Sequence, residues 1–126
     1  MHELGLVMHV IRSVEEVAAK NHIDEVCAVT LEIGEVSGVV HRYLTDCWAW
    51  AVKKTEVLQN AELVIESTPA ITHCDCCDKE YRTVSYGKIC PHCGSENTWL
   101  LTGTEMNIKE IFVSSQEIST EAVTSQ

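Results

Sequence analysis

Five of the seven cysteines fall between residues 74 and 93, and four of them have the spacing of metal ligands. Cys74 and Cys77 form one Cys-x2-Cys pair, and twelve residues further on Cys90 and Cys93 form a second. Each pair makes a tight turn that aims two sulfurs at one point. Two such turns supply the tetrahedral thiolate set that Zn2+ prefers. Pro91 and Gly94 in CPHCGS suit the second turn, and Lys79-Glu80-Tyr81 suits the strand leaving the first. The spacing does not separate Zn2+ from iron, although a ribbon of this kind is usually a zinc site. Four thiolates leave no open coordination position, so the predicted site is structural and not catalytic. A dithiol redox centre would need only one of the two pairs. Cys76 can hardly share an ion with its neighbour Cys77 without strain, and it is expected to be a free, exposed thiol. His73 and His92 flank the ligands, and either could lie near the metal; the His92 ring is expected to point outward from its turn.

The start of the chain carries a different kind of donor. His2 is too bulky for the usual removal of the initiator, so Met1 is expected to be retained. That places an α-amine with a pKa of about 7.7–8.0 beside an imidazole with one of about 6.5. Together with backbone nitrogens they could wrap one divalent ion. All-nitrogen, tetragonal sets suit Ni(II) and Cu(II) better than Zn2+. Glu3 could ligate or orient the set. Read alone, the motif is weak, and a histidine at position two is usually just solvated.

Those donors need elements to hold them. Leu4, Val7, Met8, Ile11, Val14 and Ala18 recur at three- and four-residue steps and predict a helix over 4–19 with this row inward. Cys27, Val29, Leu31 and Ile33 alternate with Ala28, Thr30 and Glu32, which predicts a strand over 25–34. Gly34 and Ser37-Gly38 then break the pattern. Val40, Tyr43, Leu44, Cys47, Trp48 and Ala51 restore helical spacing over 39–53. AELVIE at 61–66 and EMNIKEIFV at 105–113 read as strands, and the cysteine-rich stretch between them is a separate lobe by composition. The polar residues after Val113 are expected to be disordered. The implied architecture is an α+β fold: a small mixed β-sheet with two helices plus an inserted zinc-ribbon lobe.

Composition narrows the function classes. A formal net charge of −10 argues against nucleic-acid binding, which needs clustered Lys and Arg. No basic n-region precedes an apolar stretch at the start, so no signal peptide is expected. No apolar run approaches the ~20 residues that span a membrane. A reducing cytoplasm and a metal site are a simpler reading of the cysteines than a disulfide framework. No nucleophile triad, phosphate-cradling loop or carboxylate pair stands out, and a non-enzyme is expected. Cys27 and Cys47 are expected as buried small hydrophobes, and Trp48, Trp50 and Trp99 as packing residues. His22 and His41 are expected to be solvated, and His9 could assist metal binding only if its ring turned back. Glu35 reads as a solvated turn carboxylate, or as a group near a nickel or partner site if its turn lies beside the amino terminus.

MHELGLV at the start, LEIGEVSGVV at 31–40, Thr55, the AELVIE strand ending in Pro69, and the paired Cys-x2-Cys ribbon occur together over roughly residues 1–113. In this combination the sequence resembles the HypA/HybF family of hydrogenase-maturation nickel metallochaperones. The resemblance implies that Met1, His2 and Glu3 bind Ni(II) as cargo, and that Cys74, Cys77, Cys90 and Cys93 hold structural zinc. It implies a nickel domain beginning at 1–70, a zinc lobe at 71–102, a returning strand at 103–113, and a tail at 114–126. The partners it implies are a maturation GTPase and the large subunit of a [NiFe]-hydrogenase, with urease maturation proteins for some members. Two competing readings are a zinc-ribbon interaction or nucleic-acid-associated module without nickel transfer, and a thiol oxidoreductase using Cys76 or a ribbon pair.

Overall fold

The computed structural model describes residues 3–113 and 117–118. Helix α1 (Glu3–Lys20) buries Leu6, Val7, Val10, Ile11, Val14, Val17 and Ala18. Leu6, Val10 and Val17 rotate the buried arc away from Leu4 and Met8, which the sequence placed in the inner row. Those two are 43% and 40% exposed. Two apolar rows overlap on this helix, and periodicity alone does not decide which one faces inward. Glu3 in the first turn and Lys20 in the last match the helix dipole. The helix stops where His22 turns left-handed (φ 54°) and the Ile23 amide reaches back to Ala18 O at 2.8 Å.

Strand β1 (Val26–Gly34) buries Val29, Leu31 and Ile33 in alternation. Cys27 is exposed rather than buried. The strand enters with Val26 buried and its amide tied to Val57 O at 2.9 Å, so its neighbour Cys27 is turned outward. Helix α2 (His41–Val52) packs against α1 and buries Leu44, Trp48, Ala51 and Val52. Trp48 donates its indole N–H to Ala61 O at 2.9 Å, as a buried indole must. Val40 and Tyr43 were also assigned inward but are exposed, and Cys47 is half-buried. Trp50 is exposed as well, against the packing role expected for it.

Strands β2 (Glu62–Thr68) and β6 (Met106–Val113) flank β1, and β7 (Glu117–Ile118) pairs with the far side of β6 in the order β2-β1-β6-β7. The tail expected to be disordered otherwise lies outside the described residues. A second, three-stranded sheet has the order β4-β3-β5, with both pairings antiparallel. It comprises β3 (Ile71–Cys74), β4 (Glu80–Arg82) and β5 (Thr98–Thr102). A short helix α3 (Thr83–Tyr86) follows β4. The chain thus has an α+β fold in two compact units. One contains both long helices and most of the larger sheet. The other is formed by Ile33–Gly38 and Ser67–Met106.

Inside the second unit the chain passes itself at backbone contact. Gly34 N–H donates to Glu105 O and Val36 N–H to Gly103 O, each at 2.8 Å. A Cβ on Gly34 would stand 2.0 Å from Gly103 O, so only glycine fits. Gly34→Ala is expected to destabilise the protein by about 1–3 kcal/mol or more, read as a lowered urea midpoint. An unchanged midpoint would mean that the two segments are not in contact.

Candidate metal centres

The two cysteine pairs are built by the same turn. In the first, the Asp78 amide returns to Cys74 O at 2.9 Å and the Cys74 amide donates to Lys79 O at 2.9 Å. In the second, the Gly94 amide returns to Cys90 O at 2.8 Å and the Cys90 amide donates to Ser95 O at 3.0 Å. The fourth residue after each leading cysteine is left-handed: Asp78 at φ 62° and Gly94 at φ 78°. Glycine announces this conformation in the sequence. Asp78 adopts it too, one of the few other residue types that does so readily, and the sequence reading missed it.

These turns bring all four sulfurs within 4.8 Å of one another. Cys74 and Cys93 are 3.6 Å apart at sulfur, as are Cys77 and Cys90. A zinc–sulfur bond of about 2.3 Å implies a tetrahedral edge of about 3.8 Å, so the donor set fits zinc in type and size. Cys74 and Cys90 are buried with Tyr81, and Cys77 packs on them. Crowding splits the thiols' proton affinities. Burial and the neighbouring sulfurs push Cys77 up. The Ser95 amide draws Cys93 down, but burial and its sulfur neighbours outweigh it and push the thiol up to about 12. For Cys90 burial works upward, yet the amides of His92 and Cys93 prevail and hold it down to about 7. A cation that fills the cluster must therefore displace the protons of Cys77 and Cys93 in particular.

Neither flanking histidine joins the cluster. His73 Nε2 turns to the carboxylates of Asp78 at 3.1 Å and Asp75 at 3.5 Å, and its ring lies 5.4 Å from that of Trp99. Trp99, expected as a packing residue, is exposed and donates its indole N–H to Asp75 at 3.0 Å. His92 is exposed, and its contribution is its backbone amide, 3.4 Å from Cys90 Sγ. Cys76 is an exposed thiol.

At the other candidate site Met1 and His2 lie outside the described residues, and Glu3 opens α1. The Glu3 carboxylate accepts the Val40 amide at 2.9 Å, a bond across 37 residues that joins the start of α1 to the residue before α2. No local pattern encodes it. Beside Glu3, Leu4, Gly5, Met8, Tyr43 and Cys47 line an open, mostly apolar depression of about 700 Å³. Glu35 is committed elsewhere. Its carboxylate accepts the Ala70 amide at 2.8 Å and pairs with Arg82 at 3.2 Å, and the Ala70 amide with Arg82 holds it below the usual carboxylate range. It braces the second unit. His9, His22 and His41 are exposed.

A family model described as "Hydrogenase/urease nickel incorporation, metallochaperone, hypA" matches residues 1–113. A hydrogenase maturation factor HypA of Geobacter metallireducens is 36% identical over 113 residues, covering 90% of this chain and 99% of the relative. Its counterpart in Actinobacillus succinogenes is 34% identical with the same coverage. In fold the chain is similar to the solution structure of the Ni metallochaperone HypA from Helicobacter pylori. The TM-score is 0.68 at 24% identity, over 92% of this chain and 100% of that one. A second solution structure of a HypA protein gives 0.71 at 24% identity, over 92% and 98%.

Replacing one of the four cysteines should undo the cluster. Cys90→Ser is expected to lose stoichiometric zinc and with it the ordered ribbon, since structural zinc contributes about 10–16 kcal/mol to the folding of small zinc modules. Metal analysis and amide exchange of residues 71–102 check this. Full zinc content and unchanged protection in the variant would contradict it.

Proposed function

Because the chain belongs to the HypA family of nickel-incorporation metallochaperones for hydrogenase and urease, we propose that it binds one Ni(II) with Met1, His2 and Glu3. It releases the ion for maturation of a [NiFe]-hydrogenase, while Cys74, Cys77, Cys90 and Cys93 keep a structural zinc. The observation that best supports this reading is the bond from the Val40 amide to the Glu3 carboxylate. It occupies a carboxylate oxygen of Glu3 and ties the residue that follows His2 to the start of a second helix. Glu3 then contributes its backbone nitrogen and a fixed anchor, while Met1 gives its α-amine and His2 its imidazole. Such a nitrogen-rich set suits Ni(II) and offers little to hold zinc, whose preferred thiolates are in the ribbon.

The chemistry asked of the protein is capture and release without turnover. The imidazole and the amine must be deprotonated to bind. The imidazole, near ~6.5, and the amine, near ~7.7–8.0, hold their protons at low pH, so protons compete with the metal. Ligands at a chain end can be taken over by a receiving site with little unfolding. The apolar depression beside Glu3 gives a partner GTPase or the hydrogenase large subunit a surface next to the cargo. A urease maturation protein is a further client of the same chemistry. No helix among the described residues is long and apolar enough to cross a membrane, and the protein acts in the cytoplasm.

Calorimetric titration of zinc-loaded protein with Ni(II) tests this. One site is expected, lost in His2→Ala with zinc content unchanged. Between about pH 7.5 and about pH 5.5 the affinity should fall at least about a hundredfold, because both donors gain protons over that interval. Equal binding by wild type and His2→Ala, or an affinity flat across the interval, would remove the amino-terminal site.

A further inference from the structure

One strand of the larger sheet lies beyond the family match. The match ends at residue 113, the last residue of β6, and alignments of 113 residues already cover 99% of the two relatives described above. This chain continues to residue 126. Glu117–Ile118 run antiparallel along β6, with Ile118 opposite Ile111 and Glu117 opposite Phe112. In the order β2-β1-β6-β7, they cover the side of β6 that faces away from β1.

A bare strand edge offers unpaired N–H and C=O groups to any other chain, and proteins blunt such edges with charge, proline or a covering segment. β6 is blunted over only part of its length. Asn107, Lys109 and Glu110 are polar, and Lys109 is ion-paired with Glu66. Ile111, Phe112 and Val113 have no charge and no proline, and all three favour extended pairing. Among the described residues, β7 lies opposite Ile111 and Phe112 of this unprotected part. It replaces an apolar edge with one built on Glu117, in a sequence (SSQEISTE) whose other residues, apart from Ile118, are polar or charged.

We propose that Glu117–Ile118 are a built-in edge cover, occupying a strand-docking edge on β6 that would otherwise pair with a second copy of this chain. Antiparallel pairing of two Ile111–Val113 edges would be isologous and would use up both, so the uncovered species is a closed dimer. The proposal is independent of the nickel reading.

Size-exclusion chromatography with light scattering tests it on three zinc-loaded proteins. These are the full chain, a chain ending at Val113, and the full chain with Glu117→Pro and Ile118→Pro, which removes both amides of β7. The full chain is expected to keep the mass of one chain as concentration rises. Both variants should shift to the mass of two, with circular dichroism and zinc content unchanged. Folded variants that keep the mass of one chain would overturn the proposal, and so would a full chain already at the mass of two. Loss of fold in either variant would also overturn it, because the segment would then be a structural part of the sheet and not a cover.

Discussion

Four thiols held within 4.8 Å of one another are a constraint that the surrounding chain cannot satisfy by itself. Each sulfur is anchored by a turn with two backbone hydrogen bonds, so the cluster cannot spread without undoing those turns. A divalent cation resolves the crowding by taking the place of the protons. The rest of the second unit follows from that. The first turn leads from β3 into β4, and the second leads out toward β5, so an ion held by the four sulfurs would clamp the three-stranded sheet where its strands meet. Tyr81 fills the space beneath the sulfurs and closes its hydroxyl on Gly87 O at 2.8 Å. A unit this small has little apolar surface to bury, and a metal bound by the cluster would stand in for the missing core.

The cargo site proposed at the amino-terminal end has the opposite requirement. A resident ion wants a closed, fully saturated, soft donor set, whereas cargo wants an open one that protons and a receiving site can take apart. Nitrogen donors at a chain end meet the second need. The bond from Val40 to Glu3 fixes the residue next to the proposed donors, which would limit the entropy lost if they bind a metal. Two chemically distinct donor sets in one chain also sort two similar ions. In the proposed function, sulfur would draw zinc to the ribbon and nitrogen would leave the terminus to nickel.

Local features were legible in the sequence. The ribbon was, because Cys-x2-Cys encodes its own turn and the donor type names the metal class. The long helices and strands β1, β2 and β6 were, because their apolar periods differ. What was not legible depended on distant partners. The bonds from Val40 to Glu3 and from Arg82 to Glu35 span 37 and 47 residues and leave no trace in spacing. Leu4, Met8 and Tyr43 have the right period but the wrong azimuth, since two apolar rows overlap on a helix and packing selects one. Cys27 has the right parity but sits at a strand entry fixed by Val57. β7 is nearly all polar in its surroundings, and only the edge it covers explains why it pairs at all.

The most direct test of two donor sets for two ions is X-ray absorption at the zinc and nickel edges of one sample loaded with one equivalent of each. Zinc should be surrounded by four sulfurs at about 2.3 Å, and nickel by nitrogen and oxygen neighbours alone. Sulfur around nickel, with zinc displaced from its thiolates, would contradict the account.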